Sequence, residues 1–267
     1  MRLARKSLKR QREDQRIFEE LVRFLGERNT PALFPAQLVL EIGKFFLGKP
    51  YRVGTLETKG TEHLVINLRE FDCFTFVENV VVLAWCLKSQ QKVFEAFWRA
   101  LKKTRYRNGR MQGYSSRLHY FSDWIYDNRK KGIVRDVTAD MGGRPVRKTI
   151  HFMTTHPDLY PALKNVRNLQ AMKSVERAIS KRSLYYIPRK VLKTLKGRIA
   201  EGDIIAFTTT TEGLDVQHVG FAAKVNNRVH LLHASTLEGK VVLSKKTLYR
   251  YLMQSRARSG IMVARLA

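Results

Sequence analysis

The chain has 267 residues, of which 44% are hydrophobic and 10% aromatic, and this composition excludes a disordered or fibrous protein. Lysine and arginine number 50 against 23 aspartates and glutamates, so the net charge of +27 predicts attraction to polyanions: nucleic acid, anionic lipid or acidic cell-wall polymers. With only 2 cysteines, the sequence excludes a disulfide framework and a four-cysteine zinc site.

Helical periodicity dominates the first two thirds of the chain. In the charged first segment, apolar residues recur every three to four positions, at Ile17, Leu21 and Leu25. The segment that starts at Cys73 is apolar nearly all round, which is typical of a helix buried in a globular core. Helices are predicted over 1–28, 35–46, 73–89, 94–103, 118–129 and 166–180. Between them we expect a turn-rich loop over 48–54, a short strand or extended segment over 64–68 and a basic loop over 105–117.

From Gly202 onwards the pattern changes to alternating, β-branched residues, which predicts strands. They are expected over 203–207, 218–225, 228–234, 240–243 and 261–264. Helices followed by an antiparallel sheet indicate the α+β class. The sequence contains no clear linker, so we expect a charged helix and lead-in over 1–34 and a single domain over 35–267.

The segment around Cys73 carries the clearest chemical signal. Asp72 has the side chain of an N-cap residue, so Cys73 is expected at the first position of the buried helix. Free N–H groups and the dipole at a helix N-terminus stabilise an anion, which favours ionisation of a thiol. Cys73 is therefore a candidate nucleophile, although a single cysteine is more often a small buried hydrophobe. Cys86 points well round the same helix and is assigned to the core.

A thiol nucleophile needs a base that later protonates the leaving amine, and two predicted strands supply histidines. His218 and His233 flank Asn226 and Asn227, residues that tolerate the positive φ of a two-residue hairpin turn. Two registers stay open: His233 faces His218 directly, or is its diagonal neighbour. In both, the two side chains share one face of the sheet, because the side-chain period of a strand is two. His230 points to the other face.

The sequence gives no signal for a metal, a cofactor or a membrane span. His151 and His156 are five positions apart, which suits neither a helical nor a strand pair of metal ligands. No run approaches the ~20 apolar residues that span a bilayer. The basic N-terminus is not followed by an apolar stretch, so no secretory signal is visible in this sequence.

The order of these motifs resembles that of the NlpC/P60 cysteine peptidases, papain-like enzymes that act on bacterial peptidoglycan. The similar segments are Asp72-Cys73, 202–205, 218–221 and 233–235. Residues 68–78, 116–120 and 151–153 are closer still to the DUF1460 branch, regarded as N-acetylmuramoyl-L-alanine amidase-like. The resemblance covers about residues 35–265. It implies a papain-like fold in which a nucleophile on a buried helix packs against an antiparallel sheet, with helical insertions.

The resemblance also implies a role for each matching residue. Cys73 would be the nucleophile, His218 the general base and acid, and His233 the group that orients His218. Tyr51, in the loop over 48–54, would lie over the cleft like the tyrosine of the family. Two departures fit a divergent branch: Phe74 replaces a usual small residue, and the gap between the two histidines is longer than is typical.

We expect further side chains near the nucleophile to contact the substrate. They are Asp72 beside the cysteine, and Ser116, Arg117 and His119 at the end of the basic loop. Loops on a rigid scaffold commonly carry specificity, and an arginine can bind a carboxylate through two hydrogen bonds or stack on a sugar. The loop is therefore predicted to recognise the muramic acid side and the first stem residues.

The cysteine and histidines predict a cysteine amidase. The resemblance implies that its substrate is peptidoglycan or muropeptide fragments and that the bond it hydrolyses is the N-acetylmuramoyl–L-alanine amide. One alternative is an endopeptidase that cuts between D-glutamate and the diamino acid of the stem peptide. A basic nucleic-acid-binding protein is a distant alternative, since no zinc finger, RNA-binding aromatic motif or recognition helix is present. A wall-binding module without activity is disfavoured by the intact cysteine and histidines. The substrate class suggests the cell envelope or periplasm, a cytoplasmic location stays open, and the sequence leaves the oligomeric state undefined.

Overall fold

Helices occupy the first part of the chain, as predicted. The computed structural model describes residues 2–27, 34–58, 60–195 and 197–267, and their side chains except those of 2–7 and 194. The helices are α1 (Arg2–Glu27), α2 (Pro35–Phe45), α3 (Cys73–Lys88), α4 (Phe94–Arg105), α5 (Phe121–Lys130), α6 (Phe152–Thr155), α7 (Val166–Ser180) and α8 (Leu248–Met253). No helix in the described part of the chain is both long and apolar enough to cross a membrane.

The strands form one antiparallel sheet, which confirms the α+β class. They are β1 (Val134–Asp136), β2 (Arg144–Val146), β3 (Leu184–Pro188), β4 (Ile204–Thr209), β5 (Val216–Val225), β6 (Arg228–Ser235), β7 (Lys240–Thr247) and β8 (Arg258–Leu266). The order across the sheet is β2-β3-β8-β4-β5-β6-β7, and β1 also pairs with β8. The last strand therefore lies inside the sheet and joins its early and late parts.

The β5–β6 hairpin settles the register that the sequence left open. Phe221 pairs with Leu232 and Val225 pairs with Arg228. The turn residues Asn226 and Asn227 have φ of 47° and 59°, values that suit a two-residue hairpin turn and that asparagine tolerates. This register makes His233 the diagonal neighbour of His218, one of the two arrangements compatible with the sequence.

The helix that begins at Cys73 is buried on nearly every side, as its composition predicted. It packs against α2 and α4 and against strand β5. Its buried Glu78 is paired: the carboxylate accepts from Arg105 Nε at 2.7 Å and from Trp124 Nε1 at 3.2 Å. Cys86 is 1% exposed and belongs to the core, as expected. The apolar surroundings fix the direction of α3 and therefore the position of its first residue.

The two faces of the sheet are covered by different elements. One face carries Val219, Phe221 and Leu232, which join the large core around α3. The opposite face carries Ala222 and Leu231, which join a second core that includes residues of α8. Because side chains alternate along a strand, His218 and His233 belong to this second face.

A β-bulge precedes His218. Phe207 pairs with His218 but Thr208 pairs with Val216, so Gln217 is an extra residue on β5. Bulges of this kind bend the strand and redirect neighbouring side chains, and they occur frequently beside active sites. The bulge lies where β5 enters the sheet, near the start of α3.

Helix α1 joins the core only from Asp14 onwards. Ile17, Phe18 and Leu21 are buried in the same cluster as α3, whereas residues 8–13 are exposed. Asp14 Oδ1 accepts from the Leu68 N–H at 2.8 Å. The end of the predicted first helix and of the lead-in, residues 28–33, lies outside the described residues.

One predicted helix start was wrong, and several short elements were not predicted. For residues 64–68 the sequence allowed a short strand or an extended segment; the structure has no strand there, because this segment bonds to α1 rather than to the sheet. The helix expected from residue 118 begins at Phe121, because Arg117 forms an isolated β-bridge with Tyr106 and Tyr114–Ser116 forms a 3₁₀ turn. Strands β1–β3 and helix α8 were not predicted, because these elements are too short to show a period.

Candidate functional site

Cys73 is the first residue of α3, and Asp72 caps the helix. The Asp72 carboxylate accepts from the Thr75 N–H at 2.7 Å, and Thr75 Oγ1 accepts from the Asp72 N–H at 3.0 Å. This reciprocal pair is a capping box, with threonine in place of the usual glutamate or glutamine. The N-cap chemistry of the sequence therefore fixed the start of the helix, and the thiol lies where free backbone N–H groups converge.

The protonation state of Cys73 differs from the sequence-based expectation. Burial raises the pKa of the thiol to about 12, and the negative charge of Asp72 acts in the same direction. Hydrogen bonds from the Val219 and Phe74 N–H groups lower the pKa but do not offset the burial. The resting thiol is therefore protonated at neutral pH, and it needs a base when it attacks.

His218 and His233 form a direct hydrogen bond. His218 Nε2 lies 2.7 Å from His233 Nδ1, and the two rings are nearly perpendicular at 88°. Burial is the main cause that lowers the pKa of both, that of His233 to about 4, so both imidazoles are neutral at neutral pH. Since Nε2 of His218 is committed to His233, Nδ1 is the nitrogen left to exchange a proton with another group.

Gly220 makes room for the histidine pair. A Cβ built on Gly220 would lie 2.8 Å from Cβ of His233 and 2.9 Å from the Leu232 carbonyl oxygen. Real Cβ atoms essentially never approach other atoms this closely. The close approach of the two strands at this point gives a steric reason for the glycine.

A small cavity brings Cys73 and His218 together. Its volume is about 130 Å³. It is lined by Cys73, Phe74, His119, Tyr120, Phe121, Met153, Tyr160, Leu214, Asp215, Val216, Gln217, His218 and Val219. Among the described residues, no group of three or more His, Cys, Asp or Glu side chains could hold a metal ion.

A family model described as AmiA-like, N-acetylmuramoyl-L-alanine amidase-like, matches residues 41–261. This range includes the cysteine and both histidines of the site. The chain belongs to the N-acetylmuramoyl-L-alanine amidase-like family. No curated protein sequence matches it.

Solved structures support the same family membership. An N-acetylmuramoyl-L-alanine amidase from Bacteroides uniformis is 40% identical with a TM-score of 0.83, over 87% of this chain and 99% of that chain. A structure from Bacteroides fragilis, described as a candidate xylanase, is 42% identical with a TM-score of 0.80, over 84% of this chain and 99% of that chain. A DUF1460 protein from Legionella pneumophila is 24% identical with a TM-score of 0.73, over 97% and 96% of the two chains, and supports the fold alone.

Tyr51 lies near the cysteine of this amidase-like chain. Its backbone forms an isolated parallel bridge with Phe71, two residues before Cys73, and its side chain is hydrogen-bonded to Thr236. The phenol is close enough to the thiol and to Asp72 for their negative charges to raise its pKa, although burial is the larger cause. The loop over 48–54 thus brings the tyrosine towards the site.

The structure separates the three residues predicted at the end of the basic loop. Ser116 bonds the Gly113 carbonyl at 2.6 Å within a turn and does not line the cavity. Arg117 is 3% exposed and pairs with Glu57 at 2.6 Å, which anchors the segment after Tyr51. Of the three, His119 alone lines the cavity with Cys73. The substrate contacts predicted for this loop remain predictions.

One hydrogen bond defines which ring nitrogen of His119 carries the hydrogen. Its Nε2 lies 2.9 Å from the Tyr114 carbonyl oxygen, which can only accept, so Nε2 carries the hydrogen. Burial and the nearby Arg117 charge lower the pKa of His119, so the ring is neutral. Its Nδ1 is then a lone-pair acceptor.

The sequence analysis missed three groups around the site. Tyr251 of α8 lies with its ring centroid 5.2 Å from that of His233, and Arg258 of β8 stacks on Tyr251 at 4.1 Å. Asp215 lies in the cavity wall, where it accepts from the Ser122 N–H at 2.8 Å. Their position depends on late strands and on α8, so no local motif identifies them.

A larger groove of about 940 Å³ lies elsewhere, between α1 and the segments over 50–58 and 63–70. It shares no lining residue with the small cavity. Its charged side chains are largely paired with each other, as in Arg69–Asp14 at 3.0 Å and Arg52–Glu70 at 2.8 Å. The small cavity is the candidate site because it is lined by both the candidate nucleophile and the candidate base predicted from the sequence.

Proposed function

We propose that this chain is a cysteine amidase of the NlpC/P60 superfamily with a papain-like fold, and that it hydrolyses the N-acetylmuramoyl–L-alanine bond of peptidoglycan or its fragments. The observation that carries the proposal is the cavity lined by both Cys73 and His218, with His233 bonded behind the base. Membership of the amidase-like family supports the substrate class.

The first half of the reaction is acyl transfer to sulfur. His218 Nδ1 removes the thiol proton as Cys73 Sγ attacks the lactyl carbonyl carbon of the muramic acid. The carbonyl oxygen becomes an oxyanion, for which the backbone N–H groups at the start of α3 are the nearest donors. The intermediate collapses when the C–N bond breaks and His218 Nδ1 returns its proton to the nitrogen of L-alanine. The peptide leaves, and the lactyl group stays on Cys73 as a thioester.

The second half is hydrolysis of that thioester. His218 Nδ1 takes a proton from water, whose oxygen attacks the thioester carbonyl, and then returns the proton to the departing sulfur. The products are the free sugar acid and the regenerated thiol. Throughout both halves His218 Nε2–H donates to His233 Nδ1, so His233 orients the base and stabilises its positive charge while remaining neutral.

The surrounding side chains receive roles in binding. We assign Tyr51 to the cleft above the thiol and Asp72 to the cap that holds Cys73 in place. His119 Nδ1 is an acceptor for a substrate N–H or O–H group. Arg117 and Ser116 would act indirectly, by fixing the loop segments on either side of the cavity.

The charge of the chain fits an anionic polymer. Stem peptides carry carboxylates, and a net charge of +27 would raise the association rate with them. We assign catalysis to a single domain over 35–267, preceded by the lead-in over 1–34, and we propose the cell envelope as its place of action. No nucleic acid is expected as a partner.

A glycosidase does not fit the site as well, although one similar structure carries a xylanase description. Glycosidases ordinarily use two carboxyl groups that flank the scissile bond. Asp215 is the one carboxylate that lines the described cavity, and both of its oxygens accept backbone N–H groups. The Cys–His–His arrangement favours acyl transfer.

Mass spectrometry of defined muropeptides tests the proposal. We expect a muramoyl-tripeptide to yield the free tripeptide and the sugar acid, with one water added. The C73A variant should be inactive, whereas C86A, which changes the other, buried thiol, should retain activity. A muramoyl-dipeptide product would indicate the endopeptidase instead, and activity of C73A within tenfold of the wild type would exclude the cysteine mechanism. Activity lost with a chelator and restored by zinc would also contradict it.

A further inference from the structure

The histidine pair lies against a stack of aromatic and cationic side chains. The Tyr251 ring centroid is 5.2 Å from that of His233 and 5.8 Å from that of His218. On Tyr251 lies the Arg258 guanidinium, 4.1 Å from the ring centroid, and it is also 5.4 Å from the ring of Phe207. A hydrogen bond from Arg258 to the Tyr251 carbonyl holds the guanidinium in this position. The cation is thus held one aromatic layer away from the two imidazoles.

The charge of Arg258 is not neutralised nearby. No carboxylate in the described part of the chain pairs with Arg258, and its Nε is buried without a hydrogen-bond partner. Arg258 is half-buried, and taking a cation partly out of water without a counter-ion costs stability, so its presence at this place calls for a compensating role. Its field acts on the groups across the Tyr251 ring.

Only one hydrogen can lie between His218 Nε2 and His233 Nδ1, so one nitrogen donates and the other accepts. If His218 Nδ1 is to take the thiol proton, His218 Nε2 must carry hydrogen and donate to His233 Nδ1. A proton on His233 Nδ1 would place two donors 2.7 Å apart and break the contact. The pair therefore works only while His233 stays uncharged, a restriction that a carboxylate in the same place would not impose.

We propose that Arg258, held by Tyr251, is a positioning residue that extends to more acidic pH the range over which His233 stays neutral and accepts the hydrogen bond from His218. This inference rests on the proposed cysteine amidase function. Burial is the larger cause of the lowered pKa of both histidines, and the charge of Arg258 adds to it in each case. Tyr251 separates the guanidinium from the rings, so Arg258 influences them without competing for their hydrogen bonds.

The other titratable groups that face the pair do not replace this effect. From α3, Cys73 is a neutral thiol, and from α8, Tyr251 has a pKa raised by burial. The groups that share the cavity with His218 are His119, Tyr120, Tyr160 and Asp215. Burial lowers the pKa of His119 and raises that of Asp215, whose two oxygens accept from backbone N–H groups. Among the groups named here, Arg258 is the one that carries a fixed positive charge.

The test compares R258M, which keeps the length of the side chain but removes its charge, with R258K, which keeps the charge. Imidazole NMR titration without substrate and the pH profile of kcat/KM on a muramoyl-tripeptide are both measured. We expect R258M to raise the apparent pKa of His233 and to move the acidic limb of kcat/KM upwards by about one pH unit. R258K should keep both near the wild-type values.

A folded R258M protein with unchanged histidine titration and an unchanged acidic limb would overturn the proposal. If R258M does not fold, R258Q provides the same comparison, because its amide can still donate to the Tyr251 carbonyl. The NMR titration needs no turnover. If R258M raises the His233 pKa while the wild-type chain cleaves no muropeptide, the role of Arg258 is supported and the amidase is refuted. If the His233 pKa is unchanged in R258M while the wild-type chain cleaves muropeptides, the amidase is supported and the role of Arg258 is refuted.

Discussion

Substitution of Gly220 by alanine tests the histidine pair through steric contact alone. The added Cβ would lie 2.8 Å from Cβ of His233, an atom that moves only with its backbone. To reach an ordinary contact of 3.4 Å or more, the two strands must separate by several tenths of an ångström. The 2.7 Å bond between His218 and His233 tolerates little of this displacement before it is lost.

The expected cost has two parts. Overpacking a sheet interior by one methyl group typically destabilises a protein by about 1–3 kcal/mol. Loss of the contact that orients the base should lower kcat by about 10- to 100-fold, which corresponds to about 1.4–2.7 kcal/mol of transition-state stabilisation. We expect kcat to fall more than KM rises, because the orientation of the base matters most in the transition state.

Gly43 provides a matched control. An alanine there would also approach a neighbour too closely, with its Cβ 2.7 Å from Leu232 Cδ2. That atom is the end of a flexible side chain on the opposite face of the sheet from His233. The assay is kcat and KM on a muramoyl-tripeptide, alongside thermal unfolding. If G220A and G43A lose stability equally and both retain wild-type kcat, the reasoning about the histidine contact is refuted.

The remaining predictions concern the thiol and the histidines. Because burial raises the pKa of the Cys73 thiol to about 12, iodoacetamide should alkylate it more slowly at pH 7 than a free cysteine, and faster as the pH rises. Mass mapping of the alkylated peptide, with C86A as the control, measures this rate. Rapid alkylation of Cys73 at pH 7 would contradict the prediction. H218A should abolish hydrolysis, H233A should lower kcat by a smaller factor, and H230A should match the wild type. Equal losses in H230A and H233A would show that the orienting histidine has been assigned to the wrong face of the strand. Because burial lowers the pKa of His233 to about 4, kcat/KM should persist at mildly acidic pH and fall as the pH drops towards that value; a decline centred near pH 6.5 would indicate ordinary histidines.

Features that depend on neighbouring residues, such as a helix cap or a hairpin turn, could be predicted from the sequence. The cap at Asp72 gave the first residue of α3, and the two asparagines gave the hairpin and placed both histidines on one face. The prediction that the thiol ionises easily was wrong, because helix position is a local property whereas burial is set by the whole fold.

Features that depend on distant contacts could not be read from the sequence. Arg117 looked like an exposed cation in a basic loop, but Glu57, sixty residues earlier, folds back to pair with it. Tyr251 lies against the histidines because α8 packs on the second face of the sheet, and Arg258 lies on Tyr251 because β8 is an interior strand of the same sheet. Neither residue belongs to a recognisable motif, so only the assembled structure reveals them.

The interior position of β8 has a consequence for how the chain folds. This strand pairs with β1, β3 and β4, so residues as early as Val134 find their partners only at Leu266. Contacts so far apart in sequence slow folding, because the intervening chain must be ordered before they form. During synthesis the helices can assemble early, while β4 and β3 keep unpaired edges that invite association with other chains. We therefore expect slow, chaperone-sensitive maturation in which the site forms last, since Arg258 arrives with the same strand.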